Sequence, residues 1–142
     1  MIDTRPDWDD YFLGIAAAVA RRGDCTRSQV GAVIVHGGRI ISTGYNGAPA
    51  GAAGCLSGAC PRGLLTPEEC APMTSYDEGP GRCISIHAEQ NALLYSDYDR
   101  RQGGWIYITR EPCPTCRRLI AGGGLVGAVW PGGVWYADEV PA

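Results

Sequence analysis

His87 is followed two positions later by Glu89, and further along the chain Pro112-Cys113-Pro114-Thr115-Cys116 supplies two thiols at C-x-x-C spacing. One imidazole and two thiolates make three ligands for a zinc ion and leave the fourth tetrahedral position to water, which marks a catalytic rather than a closed structural site. Zinc lowers the pKa of such a water towards neutrality, so a nucleophile exists at working pH. A carboxylate so near the metal ligand is placed to shuttle protons: from the water, to a ring nitrogen, and on to a departing amine. The spacing therefore predicts hydrolytic removal of an amino group from an electron-poor ring, with His87, Cys113 and Cys116 as metal ligands and Glu89 as the catalytic residue.

Each half of the pattern also has a plainer reading. C-x-x-C alone serves redox pairs and zinc knuckles, and an isolated histidine is by default a satisfied core residue. Together and in this order, H-x-E and P-C-x-x-C form the signature of zinc deaminases that act on nucleobases. A cysteine-rich zinc module serving only as an interaction scaffold would account for the thiols but leaves Glu89 without a role.

Elements must bring these groups together. Trp8 to Arg22 places Tyr11, Phe12, Ile15, Ala16 and Val19 at helical spacing, opens with acids and closes with arginines before Gly23. Val30 to Val35 and Arg39 to Thr43 read as strands joined by a tight reversal at His36-Gly37-Gly38, a hairpin. From Asn46 to Arg82 the chain is rich in Gly, Pro, Ala and Cys without a sustained period, a loop that must be functional or pinned. Ile86 to Tyr98 reads as a helix, Trp105 to Thr109 as a strand, Cys113 to Ala121 as a helix ended by three glycines, and Leu125 to Trp130 as a strand. Both metal motifs thus open helices, whose free N–H groups and positive dipole ends favour thiolates. The residues after Trp130 are too short and broken for another long helix. Alternation of strand and helix in the second half, after an antiparallel pair in the first, predicts an α/β fold: a mixed central sheet with helices on both faces.

At 142 residues and 45% hydrophobic content, a single domain over 1–142 is expected, with one site carrying the function. A net charge of −3 argues against a broad footprint for nucleic acid and points to a small partner. No stretch of about 18 apolar residues and no leader pattern occurs, so the expectation is a cytoplasmic protein with no membrane partner. Seven cysteines, an odd number, suit metal binding in a reducing compartment better than a disulfide framework.

With these motifs placed, the chain resembles the deoxycytidylate deaminases of the cytidine deaminase-like superfamily from Trp8 to about Trp130. The likeness rests also on Val30-Gly31-Ala32-Val33-Ile34-Val35, on Arg39 to Pro49 with its Gly44-Tyr45-Asn46-Gly47 turn, and on Ile86 to Leu93. It implies a three-layer α/β/α fold, one catalytic Zn2+, conversion of dCMP to dUMP and ammonia, and a homo-oligomer. It further implies that Asn46 contacts the sugar or phosphate end of the nucleotide, that Arg27 neutralises the phosphate, and that the Ala88 N–H holds the pyrimidine carbonyl. The family commonly closes its site with a Tyr-Arg pair after the fourth strand; here Val134-Trp135-Tyr136 stands there. Either Trp135 or Tyr136 is then a stacking lid, or phosphate recognition moves to Arg110, Arg117 or Arg118. Other cytosine or 5-substituted cytosine nucleotides and nucleosides remain alternatives as substrates, as does a base within RNA or single-stranded DNA, which the acidic net charge disfavours.

Some members of that family carry a second, structural zinc in the long loop, for which Cys25, Cys55, Cys60, Cys70 and Cys83 are the candidate ligands. The competing reading of these cysteines is as small buried apolar residues, and their spacing is irregular.

Overall fold

The computed structural model describes residues 2–139. Helix α1 (Trp8–Ala20) begins where the Asp7 carboxylate accepts a hydrogen bond from the Asp10 amide, a side-chain cap for one of the orphan donors of the first turn. Strands β1 (Gly31–His36) and β2 (Arg39–Tyr45) form the expected hairpin. Its reversal uses Gly37 and Gly38 at φ 59° and 73°, the backbone region that a two-residue turn of matching twist demands at both central positions.

Residues 46–87 contain two 3-10 turns, at Cys55–Ser57 and Arg62–Leu64, and one isolated bridge between Gly47 and Ile86. Helix α2 (Ala88–Leu94) follows, then the short α3 (Tyr98–Arg101). The single helix expected over Ile86 to Tyr98 is thus two. Asp97 starts the second by accepting from the Asp99 amide, while the Arg101 guanidinium binds the Leu93, Ser96 and Gly123 carbonyl oxygens and closes the C-terminal ends of α2 and α4. Strand β3 (Trp105–Ile108), helix α4 (Pro114–Gly122) and strand β4 (Gly127–Trp130) complete the expected order.

One element was not expected. Gly133–Tyr136 is a fifth strand, β5, antiparallel to β4. Its Pro131-Gly132-Gly133 lead-in is a reversal of the kind that joins strands, so the breaks in that sequence mark a hairpin rather than an unstructured tail.

The sheet runs β2-β1-β3-β4-β5, with β3 and β4 its one parallel pair. Its central strands are buried on both faces, and side-chain alternation sorts them into two cores. Ala32, Ile34, Ile106, Ile108 and Ala128 face Ala88, Ala92 and Ile120 of α2 and α4. Val33, Val35, Tyr107 and Val129 face Phe12 and Ala16 of α1. This is the predicted three-layer α/β/α arrangement. Contact is close enough that a Cβ on Gly44 would overlap the Ala88 carbonyl oxygen and the Ala92 nitrogen, and one on Gly31 the backbone of α1 at Ala16 and Ala20. Among the described residues no helix is long and apolar enough to cross a membrane.

Candidate active site

Both chemistry-bearing motifs sit at helix starts. His87 is the N-cap residue of α2, extended at φ −67° and ψ 155°, and its amide donates to the Gln90 side chain. Cys113 is the N-cap residue of α4, with Pro114 in the first helical position, where no amide hydrogen is needed. The strand-to-helix turn after β3 and the loop-to-helix turn before α2 therefore point their first-turn side chains at one another. Nδ1 of His87 lies 3.1 Å from the Cys116 sulfur and 3.7 Å from the Cys113 sulfur. Among the described residues this is the one group of three or more potential ligands whose donor atoms all lie within 4.8 Å of one another.

That triangle fits zinc. Ligand distances of about 2.3 Å to sulfur and 2.0 Å to nitrogen give a tetrahedral edge of roughly 3.5 Å, between the two observed nitrogen–sulfur separations. The electrostatics agree. Hydrogen bonds from Cys116 and then His87 outweigh burial and pull the Cys113 thiol down to about 3, while the same contact and burial push Cys116 up. Burial opposes the charging of His87, but the Cys113 hydrogen bond and the negative charges of Cys113, Glu89 and Asp77 prevail and raise it. The trio thus favours a thiolate at Cys113, and a bound dication would favour one at each sulfur. On the other side of the ring, Nε2 of His87 lies 3.8 Å from an Asp77 carboxylate oxygen, and the Tyr76 ring packs against the imidazole at 5.1 Å between centroids.

Glu89 projects into the same place. It is 5% exposed, and burial raises its pKa above the usual carboxylate range. A buried carboxyl with elevated proton affinity is suited to taking and giving a proton within one cycle.

These groups open onto a cavity of about 940 Å³. Of the residues expected to touch substrate, Ala88, Asn46 and Trp135 line it, and Arg27 and Tyr136 do not. Asn46 is 1% exposed, and its amide is fixed at both ends: it accepts from the Val30 amide and donates to the Ser28 carbonyl, leaving one N–H and one lone pair for the cavity. The Arg27 guanidinium instead donates to the Cys70 and Ala71 carbonyl oxygens, so its place in the molecule is as a strap on the long loop. Trp135 is 4% exposed, a wall with Arg117 stacked over it at 5.5 Å, whereas Tyr136 packs edge-on against Trp105. Successive strand residues face opposite ways, so of the Trp135-Tyr136 pair one reaches the cavity.

Sequence reasoning missed Tyr76 and Asp77, because a residue in a loop without periodicity carries no signal of where it points. The loop is organised by Arg62, which is 2% exposed and donates to the Pro80, Ser75 and Glu78 carbonyl oxygens. Cys25, Cys55 and Cys60 form a buried cluster with Cys83 packed beside it. Cys70 is buried outside that cluster, and these thiols do not meet the ligand spacing of the His87 trio.

Residues 6–129 match the model of the cytidine and deoxycytidylate deaminase zinc-binding region. The deoxycytidylate deaminase of Mycobacterium phage D29 is 54% identical over 129 residues, which is 90% of this chain and 97% of that protein. That of Schizosaccharomyces pombe is 39% identical over 127 residues, 89% of this chain but 37% of the yeast protein's length. A crystal structure of the dCMP deaminase of cyanophage S-TIM5 in complex with dCMP and dUMP superposes with a TM-score of 0.64 at 25% identity, covering 90% of this chain and 83% of that one.

Proposed function

Because the chain belongs to the cytidine and deoxycytidylate deaminase zinc-binding family, we propose that it hydrolyses dCMP to dUMP and ammonia. The observation that carries this reading is the convergence of His87, Cys113 and Cys116 at ligand spacing, with the buried Glu89 carboxyl in the same cavity. The name of the phage relative and the bound nucleotides of the cyanophage enzyme supply the substrate.

Bound zinc supplies Lewis acidity, which makes water a nucleophile near neutrality. The protein does the rest. Glu89 removes a proton from the attacking water, delivers it to N3 of the cytosine ring, and passes a proton to the departing amino group, so that water is consumed and ammonia released. The Ala88 amide, an orphan donor in the first turn of α2, holds the ring carbonyl at C2. Asn46 offers its remaining N–H and lone pair to the sugar, pre-organised by its two backbone hydrogen bonds. Trp135 closes one side of the cavity against water.

A homo-oligomer is part of this reading. Leu94, Tyr95 and Leu119, in or capping the two site helices, are exposed apolar side chains that a second copy would cover, and light scattering on the purified protein tests it. A cytoplasmic setting is supported by the odd number of cysteines, seven, two of which stand in the metal-binding C-x-x-C motif.

The decisive experiment follows ammonia release from dCMP and zinc content together. Glu89→Ala is expected to lower kcat by roughly 10²–10⁴-fold while zinc stays bound. Undiminished turnover in that variant would remove the proton-shuttle assignment, and inactivity of the zinc-loaded wild type towards cytosine nucleotides would remove the function itself.

A further inference from the structure

Five arginines lie near the cavity, and most are engaged. Arg62 and Arg27 donate to loop carbonyl oxygens. Arg117 pairs with the Glu111 carboxylate at 2.7 Å, donates to the Pro112 carbonyl oxygen, and is flanked by the Trp130 and Trp135 rings. Arg118 is exposed and reaches only the Thr115 hydroxyl, one turn back on its own helix.

Arg110 differs. It lines the cavity, as Arg117 and Arg118 also do, but it alone of these three is half-buried while having, among the described residues, neither a carboxylate nor a carbonyl oxygen as partner. The two groups its guanidinium touches are neutral: the Ser28 hydroxyl at 3.4 Å and the face of the Tyr76 ring at 5.8 Å. A guanidinium withdrawn from water with no counter-charge is costly, and a bound anion offsets that cost. A second group shares the need. The Tyr76 hydroxyl is buried beside the Ser28 hydroxyl, and among the described residues no partner meets hydrogen-bond geometry with it, a donor of the kind folded proteins seldom leave unmet.

We propose that Arg110 and Tyr76 form the anion subsite that reads the 5′-phosphate of the substrate, with the guanidinium fork and the phenolic O–H donating to phosphate oxygens. The proposal rests on the nucleotide deaminase reading above. It assigns phosphate recognition to a Tyr–Arg pair drawn from two places, the long loop and the turn after β3. The same Tyr76 ring packs on His87, so the residue that reads the phosphate also touches the metal-binding histidine.

Steady-state kinetics on the zinc-loaded protein with dCMP and deoxycytidine test this. Arg110→Gln should lower the ratio of kcat/KM for dCMP over deoxycytidine by roughly thirtyfold, mainly through KM for dCMP. Tyr76→Phe should lower it about fivefold, and Arg118→Gln should leave it unchanged. Should Arg110→Gln fail to fold, Arg110→Lys decides, with a smaller fall in the same ratio expected because the charge stays and the fork is lost. An unchanged ratio in the Arg110 variant that folds, or a fall of that size in Arg118→Gln, overturns the proposal. If the wild type deaminates neither compound, the reading of function falls by itself, and calorimetric binding of dUMP against deoxyuridine still decides the subsite. A preference for dUMP lost in the Arg110 variant supports it, and an equal preference overturns it.

Discussion

Helices α2 and α4 with their N-cap residues hold His87, Glu89, Cys113 and Cys116 packed against a sheet whose central strands are buried on both faces, whereas residues 46–86 reach the same cavity with two 3-10 turns and one isolated bridge. The first region fixes its side chains through N-caps and close packing. The second fixes its own through side chains that bind carbonyl oxygens: Arg62 on Ser75, Glu78 and Pro80, and Arg27 on Cys70 and Ala71. Metal chemistry needs its ligands placed within a few tenths of an ångström and gains from rigid elements. A substrate wall must admit and release a nucleotide, and a loop held by a few side chains is able to open locally.

Damage to the packed region should therefore spread. Gly44→Ala drives a Cβ into the backbone of α2 at Ala88 and Ala92, atoms that cannot step aside as a flexible side chain would. We expect a loss of about 3 kcal/mol, a fall in Tm of roughly 10 °C by calorimetry, and weaker zinc retention against a chelator because His87 moves with its helix. An unchanged Tm and zinc affinity would mean that β2 and α2 are less tightly joined than their contact shows.

Damage to the loop should stay local. Arg62→Met keeps the apolar stem and removes the donors to three carbonyl oxygens. Since Ser75, Glu78 and Pro80 lie in exposed chain, water can take over those carbonyls, and the global cost is about 1 kcal/mol. Amides from Thr74 to Glu78 should lose hydrogen-exchange protection while those of β1 keep theirs. kcat/KM for dCMP should fall roughly tenfold through displaced Tyr76, with zinc content unchanged. Loss of zinc in this variant would erase the distinction between the two regions.

The same division explains what the sequence revealed. The two motifs lie in segments whose periodicity announces helices, and a helix start fixes where its first residues point; hence the meeting of His87, Glu89, Cys113 and Cys116 at one site is legible together with the hairpin and the mixed sheet. Boundaries failed where a local cap overrides periodicity, as at Asp97, and strand β5 was hidden by the Pro and Gly that form its turn. In the loop, residue type gave chemistry without place. Arg27 has the right group for a phosphate, yet its partners are carbonyl oxygens more than forty positions away, and Tyr76 carries no motif at all.

Arg27 gives the smallest and most discriminating test, since resemblance and geometry assign it different tasks. As a phosphate ligand, its loss would alter the preference for dCMP over deoxycytidine. As a strap, its loss removes two hydrogen bonds, one to buried Cys70 and one to exposed Ala71, worth about 1–2 kcal/mol together, and acts on both substrates alike because the loop carrying Tyr76 loosens as a unit. Arg27→Ala is thus expected to lower kcat/KM severalfold for dCMP and deoxycytidine in parallel, leaving their ratio as in the wild type, where Arg110→Gln changes the ratio. A ratio that collapsed in Arg27→Ala, with exchange protection of the loop intact, would return the phosphate to Arg27 and show that its guanidinium leaves the Cys70 and Ala71 carbonyls when nucleotide binds.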